Sequence, residues 1–145
     1  MLPATSARVP MSTSPDVNRQ IQEDMQDRVS NYRNASAAEI TDRLWELDRE
    51  WDIERTLEAN AAMACLVGVA LGATVDRRIF YLPMVIGGFL LQHALQGWCP
   101  PLPVFRRLGI RTEREIDGVR FALKAIGGDF HHLANYAAVG RRMGA

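Results

Sequence analysis

The sequence carries no excess of either charge, since its 17 basic and 17 acidic side chains give a formal net charge of zero. A protein that binds the phosphate backbone of nucleic acid concentrates positive charge, so we expect no nucleic acid among the partners. Cysteine is scarce as well, because Cys65 and Cys99 are the only two. Two cysteines do not make the disulfide framework of a small secreted domain. Residues 1–19 also lack the apolar segment of a secretory signal.

No complete set of catalytic side chains is recognisable either. His93 shares its predicted helix face with no second histidine and no carboxylate, so we interpret it as a hydrogen-bonded structural residue rather than a metal ligand. The pair His131-His132 would bind a metal only with further ligands from elsewhere. We therefore predict a non-enzymatic protein with no catalytic residue, no metal site and no cofactor.

Charge is missing altogether from two long segments. Residues 79–98 run for twenty positions without a charge and stop at Cys99-Pro100-Pro101. As an α-helix this segment is about 30 Å long, which is the thickness of the hydrocarbon core of a bilayer. A second uncharged run, residues 60–75, precedes it, and only Asp76-Arg77-Arg78 separates the two. The pattern predicts an all-α membrane protein with a two-helix transmembrane hairpin. Because sixteen residues make a marginal span of about 24 Å, a soluble four-helix bundle stays open as an alternative.

Amphipathic helices are predicted on both sides of the hairpin. Ser36 and Glu39 have the spacing of a capping box, and so do Thr112 and Glu115. Each box opens a segment with apolar residues at helical spacing, so we predict a helix over residues 34–60 and another after Thr112. Residues 1–35 are expected to be disordered or weakly helical, residues 36–130 to form the hairpin domain, and residues 131–145 to be a flexible tail.

Two sets of residues within the apolar segments indicate contacts with protein rather than lipid. Small side chains recur every four residues on the first helix, a spacing that lets helix backbones approach closely. Polar side chains cluster on the second helix, where amide and imidazole groups need hydrogen-bond partners. The predicted packing ridge is Ala64, Gly68 and Gly72, and the predicted polar membrane face is Gln92, His93 and Gln96.

Several short motifs resemble those of the YgaP-like inner-membrane domain family. They are the sequence DIERT at residues 52–56, the charged turn, and Gly-Trp-Cys-Pro at residues 97–100 with Leu102 after it. Leu108-Gly109 and Arg111-Thr112 fit the same pattern. The resemblance covers about residues 50–112 and implies a multi-pass domain of the bacterial inner membrane with no assigned reaction. Some members are fused to a sulfurtransferase domain, which this chain does not contain, so that activity is not implied here.

The sequence therefore leads to two functional hypotheses. The first is a membrane hairpin whose partners are the lipid bilayer and either further copies of itself or another membrane protein. The alternative is a membrane-associated thiol or metal site for sulfur transfer or redox chemistry at Cys99, with Cys65 as the other candidate thiol. Seven basic residues lie beside the two outer ends of the predicted hairpin, and two lie in its turn. Because basic residues favour the cytoplasmic side, this distribution predicts that both termini are cytoplasmic.

Overall fold

The computed structural model describes residues 2–130, and every element of regular structure within them is a helix. Two helical segments, one ending at Thr74 and one spanning Arg77–Gln96, are long and apolar enough to cross a membrane. The all-α prediction is thereby confirmed for this part of the chain. The α-helices are α1 (Arg8–Met11), α2 (Pro15–Ser30), α3 (Ala37–Arg49), α4 (Ile53–Thr74), α5 (Tyr81–Gln96), α6 (Leu102–Arg107) and α7 (Glu113–Gly127), with a 3-10 helix at Arg77–Phe80.

The described residues divide into two compact units. From the sequence, one domain was expected over residues 36–130. Unit 1 contains residues 2–22 and 51–114, and unit 2 contains residues 23–50 and 115–130. The predicted tail at residues 131–145, with His131-His132, lies outside the described residues.

Unit 1 has a small core at one end of α4 and α5. Its buried members come from four separate segments, and Phe105 and Ile110 pack against them. The polypeptide after α6 closes this core, because the Ile53 N–H donates to the carbonyl of Arg111 over 2.8 Å. The buried core residues are Val9, Ile53, Leu57, Cys99 and Leu102.

The rest of α4 packs along α5 and the 3-10 helix. Gly72 lies against the Phe80 ring, Gly68 against Pro83, and near the far end Glu54 pairs with His93. In these three contacts, residue numbers fall along α4 as they rise along α5.

Unit 2 contains α3, most of α7 and the second half of α2. The predicted capping box is confirmed at the start of α3, where the Ser36 hydroxyl accepts from the Glu39 N–H and the Glu39 carboxylate accepts from the Ser36 N–H. These bonds lower the pKa of Glu39. An ion pair of 2.9 Å joins Arg120 to Asp48. The core contains Ile40, Leu47, Ile116, Val119 and Leu123.

Two features differ from the sequence analysis. The helix predicted over residues 34–60 is interrupted, because Glu50 and Asp52 adopt extended backbone and Asp52 caps a new helix by accepting from the Arg55 N–H. Residues 1–35, expected to be disordered or weakly helical, contain α2, which agrees with a weak helix, and also α1, which was not expected. Val9 of α1 and Ile21 of α2 are buried, and this burial offsets the chain entropy that argued for disorder.

Candidate functional site

A charged cluster lies where α4 begins and α5 ends. Glu54, in the first turn of α4, receives a hydrogen bond from Arg8 at one carboxylate oxygen and pairs with His93 at the other. The distances are 2.8 Å from Arg8 Nη2 to Oε1 and 2.9 Å from His93 Nε2 to Oε2. A carboxylate only accepts, so the proton in the second bond belongs to Nε2. One carboxylate thus joins the N-terminal segment to both apolar helices.

His93 is the most enclosed member of this cluster, with 4% of its surface exposed. Its Nδ1 is buried and has no hydrogen-bond partner within residues 2–130. The structure places His93, interpreted from the sequence as a hydrogen-bonded structural residue, in contact with Glu54. The partners Arg8 and Glu54 were not predicted, because both are distant from His93 in sequence and the DIERT motif that contains Glu54 does not indicate what its carboxylate contacts.

Gly97 allows the N-terminal segment to reach this cluster. It ends α5 in the left-handed conformation with φ of 79°, and its N–H donates to the His93 carbonyl. A Cβ at this position would lie 2.4 Å from the carbonyl carbon and oxygen of Arg8. Next to it, Arg8 Nη1 donates to the Ala94 carbonyl and Ser12 donates to the Gln96 carbonyl. The glycine of the Gly-Trp-Cys-Pro motif is therefore needed both for the turn and for the contact.

Cys99, the leading candidate thiol, is a buried member of the core of unit 1, with 3% of its surface exposed. Burial raises the pKa of its thiol, and the nearby Glu54 carboxylate acts in the same direction, whereas the Leu102 N–H opposes them. A reactive cysteine needs an exposed and stabilised thiolate. The surroundings of Cys99 favour the neutral thiol, which packs as a small apolar side chain.

Cys65, the other candidate thiol, lies on α4 and faces α5. Its sulfur is 3.9 Å from the carbonyl oxygen of Pro83, and it is half-buried. Both cysteines are free thiols. Within residues 2–130, no three side chains of histidine, cysteine, aspartate or glutamate come together as metal ligands would.

The predicted packing ridge faces α5 and the 3-10 helix of the same chain. A Cβ on Gly68 would come within 3.0 Å of the Pro83 ring, and a Cβ on Gly72 within 3.0 Å of the Phe80 ring. Ala64 borders a groove of about 480 Å³ that also has Phe89 and Cys99 in its wall. The close approach expected of this ridge therefore occurs within one chain.

The predicted polar face is divided by the structure. His93 points to Glu54 on α4, whereas Gln92 is half-buried and Gln96 is exposed. Neither glutamine side chain makes a hydrogen bond within residues 2–130. A Cβ on Gly88, one turn before Gln92, would meet nothing within 4 Å. This side of α5 is only partly covered by the described part of the chain.

Arg106, one of the seven basic residues beside the outer ends of the predicted hairpin, is buried. It is 1% exposed, and its guanidinium donates to the Ile110 carbonyl and to the Asn18 side chain, both over 3.1 Å. It holds the turn after α6 against the start of α2. A basic residue beside a predicted span is ordinarily solvated, so the local pattern carries no signal of this role.

Comparison with protein-family models, with curated proteins and with solved structures gives no significant match to this chain.

Proposed function

We propose that this chain is a small integral membrane protein, in which α4 and α5 cross the bilayer as a hairpin that serves as an oligomerising or partner-docking module. The observation that carries the proposal is the exposure of apolar side chains along both helices. In the most apolar stretch of each segment, only 22% of the first and 6% of the second is buried. A core helix of a soluble protein would be mostly covered, and lipid is the solvent that suits such a surface.

The exposed side chains are large. On α4, Met63 and Leu66 are 63% and 68% exposed, and on α5, Met84 and Leu91 are 71% and 62% exposed. Burying one such side chain contributes about 1.5–3 kcal/mol. A monomer in water would expose all of these side chains to solvent and would lack this stabilisation. This argument also weighs against the soluble-bundle alternative.

The ends of the two helices carry the aromatic residues expected at the boundaries of a bilayer. Trp51 and Trp98 lie just outside the start of α4 and the end of α5, and Tyr81 begins α5 at the other end. The Arg55 guanidinium stacks over the Trp51 ring at 4.4 Å from its centroid. Such rings favour the level of the lipid headgroups. The 22 residues of α4 span about 33 Å, which reaches across a hydrocarbon core of about 30 Å.

In this arrangement the cluster of Arg8, Glu54 and His93 lies at the boundary that carries the termini. Ionisable groups near hydrocarbon are costly unless they pair with one another, as these do. The cluster therefore holds the N-terminal segment against the end of the hairpin where α4 begins and α5 ends. The distribution of basic residues supports cytoplasmic termini, and the family resemblance supports the bacterial inner membrane.

Membrane fractionation with an alkaline carbonate wash tests this proposal. The chain is expected to stay with the membrane after the wash, because a hairpin that spans the bilayer is not held by surface charge. A chain released into the supernatant would refute the proposal. For the thiol alternative no comparable support exists, since the Cys99 thiol is buried and its pKa is raised.

A further inference from the structure

Part of the surface of α5 is turned away from α4, and Val85 at its edge also borders the groove between the two helices. The side of α5 that contacts α4 is marked by Pro83 and His93. At 100° per residue, Gly88 lies about 140° around the helix from each of them. The residues on the outward face follow a spacing of four, three, four and four, which is the pattern of a helix that packs on another helix. They are Tyr81, Val85, Gly88, Gln92 and Gln96.

The depth of Gln92 makes this face unusual. If residues 79–98 cross the bilayer, its Cα lies about 5 Å from the midplane, by the rise of 1.5 Å per residue. A primary amide at that depth finds no water, so it is stable only when another polar group bonds to it. The described part of the chain supplies none. Gln96, near the end of the helix, lies close enough to the boundary for water to reach its amide.

We infer that a second copy of this chain covers the face, so that two α5 helices pack about a two-fold axis along the bilayer normal and their Gln92 amides bond to each other. The inference rests on the proposed membrane function and names the partner. A primary amide both donates and accepts, so two identical amides complement each other. Copies inserted in the same orientation carry Gln92 at the same depth, as a two-fold interface requires.

Two further observations favour a second copy. A partner of different sequence would need its own polar group at that depth, and such groups are rare in membrane helices. Gly88, with open space where a Cβ would be, lets two backbones approach one turn from the amides. The ridge on α4 is not free for this role, since Gly68 and Gly72 contact Pro83 and Phe80 of their own chain.

The test measures association of the full chain in lipid vesicles by energy transfer between labelled copies over a range of lipid dilutions. Gln92→Leu is expected to weaken association about tenfold, the equivalent of a hydrogen bond between model membrane helices. Gln92→Asn should restore part of it. The matched control is Gln96→Leu, which removes an equivalent amide from the same face but close to the bilayer boundary. Because water reaches that amide, this variant should change association by less than about twofold. Circular dichroism checks that each variant keeps its helices.

Cross-linking locates the interface independently. In a background of Cys65→Ser and Cys99→Ser, Val85→Cys, about 20° around the helix from Gln92, should form an oxidised dimer, and Leu91→Cys, about 100° from Gln92 on the other flank, should form much less. Equal cross-linking at both positions, or association that ignores Gln92→Leu, would overturn the inference. So would a carbonate-resistant chain that stays monomeric at every dilution, or a Val85→Cys product in cells that contains only a different protein. Release by carbonate would instead refute the membrane proposal itself.

Discussion

Gly97→Ala is the sharpest test of the fold, because the chain contains a matched control. Gly97 and Gly109 both have positive φ, of 79° and 81°. An alanine in this conformation costs about 1–2 kcal/mol at either position. They differ in surroundings: a Cβ on Gly97 would lie 2.4 Å from the Arg8 backbone, whereas a Cβ on Gly109 would meet nothing within 4 Å. The comparison therefore separates backbone strain from the loss of the contact.

The extra cost at Gly97 follows from what the clash displaces. Backbone atoms 2.4 Å apart cannot relax by a side-chain rotation, so the segment that contains Arg8 and Val9 has to move away. Val9 is 3% exposed, and returning it to solvent costs about 1.5–3 kcal/mol. We expect Gly97→Ala to lower the free energy of unfolding by about 2 kcal/mol more than Gly109→Ala.

Two measurements on detergent-solubilised protein check this expectation. Denaturant unfolding gives the difference in stability between the two variants. Hydrogen exchange of residues 4–13 reports the segment itself, and its amides should exchange faster in Gly97→Ala but not in Gly109→Ala. Equal losses of stability with unchanged exchange would refute the packing of this segment on the end of α5.

Three other predictions concern the charged cluster, the buried thiol and the orientation. Glu54→Ala removes the acceptor shared by two side chains and should cost about 2 kcal/mol in unfolding experiments, with faster tryptic cleavage after Arg8; unchanged cleavage would argue against the cluster. Because burial raises the pKa of Cys99, its alkylation at pH 8 should be at least about tenfold slower than in denatured protein and should accelerate as the pH rises; equal rates would mean an accessible thiolate. In cells, a cysteine at Asp76, with both native cysteines replaced by serine, should react with an impermeant maleimide from outside; labelling only after lysis would invert the orientation.

Local patterns predicted the start of α3 correctly, but they did not predict that the helix ends at Arg49. The capping box and the stripe of Ile40 and Leu47 follow from spacings of three and four residues, which the sequence displays directly. Trp51 continues the stripe in phase, so nothing in the periodicity marks the break. The break is marked instead by Asp52, a residue type that favours the N-cap of a helix. Its side chain accepts from the Arg55 backbone N–H and caps α4.

The charged cluster was missed because its partners are set by the geometry of the turn. A straight arrangement about Arg77 places residue 61 level with His93, whereas the observed partner is Glu54. The 3-10 helix at Arg77–Phe80 accounts for part of the shift. It rises about 2 Å per residue instead of 1.5 Å, so the second arm reaches the same height with fewer residues. Helical periodicity alone carries no information about this change of rise.

Glycine in the two apolar helices shows why spacing alone does not identify an interface between copies. Gly68 and Gly88 both belong to four-residue patterns, yet one contacts Pro83 and the other faces open space. What separates them is their angular position relative to the contact between α4 and α5. The small residues of α4 are used inside the chain, where they let Pro83 and Phe80 come close. On α5 the polar residues are divided by the same contact, since His93 pairs with Glu54 whereas Gln92 is half-buried without a partner among residues 2–130. We therefore expect the inferred association between copies to depend on the Gln92 amide rather than on the ridge of α4.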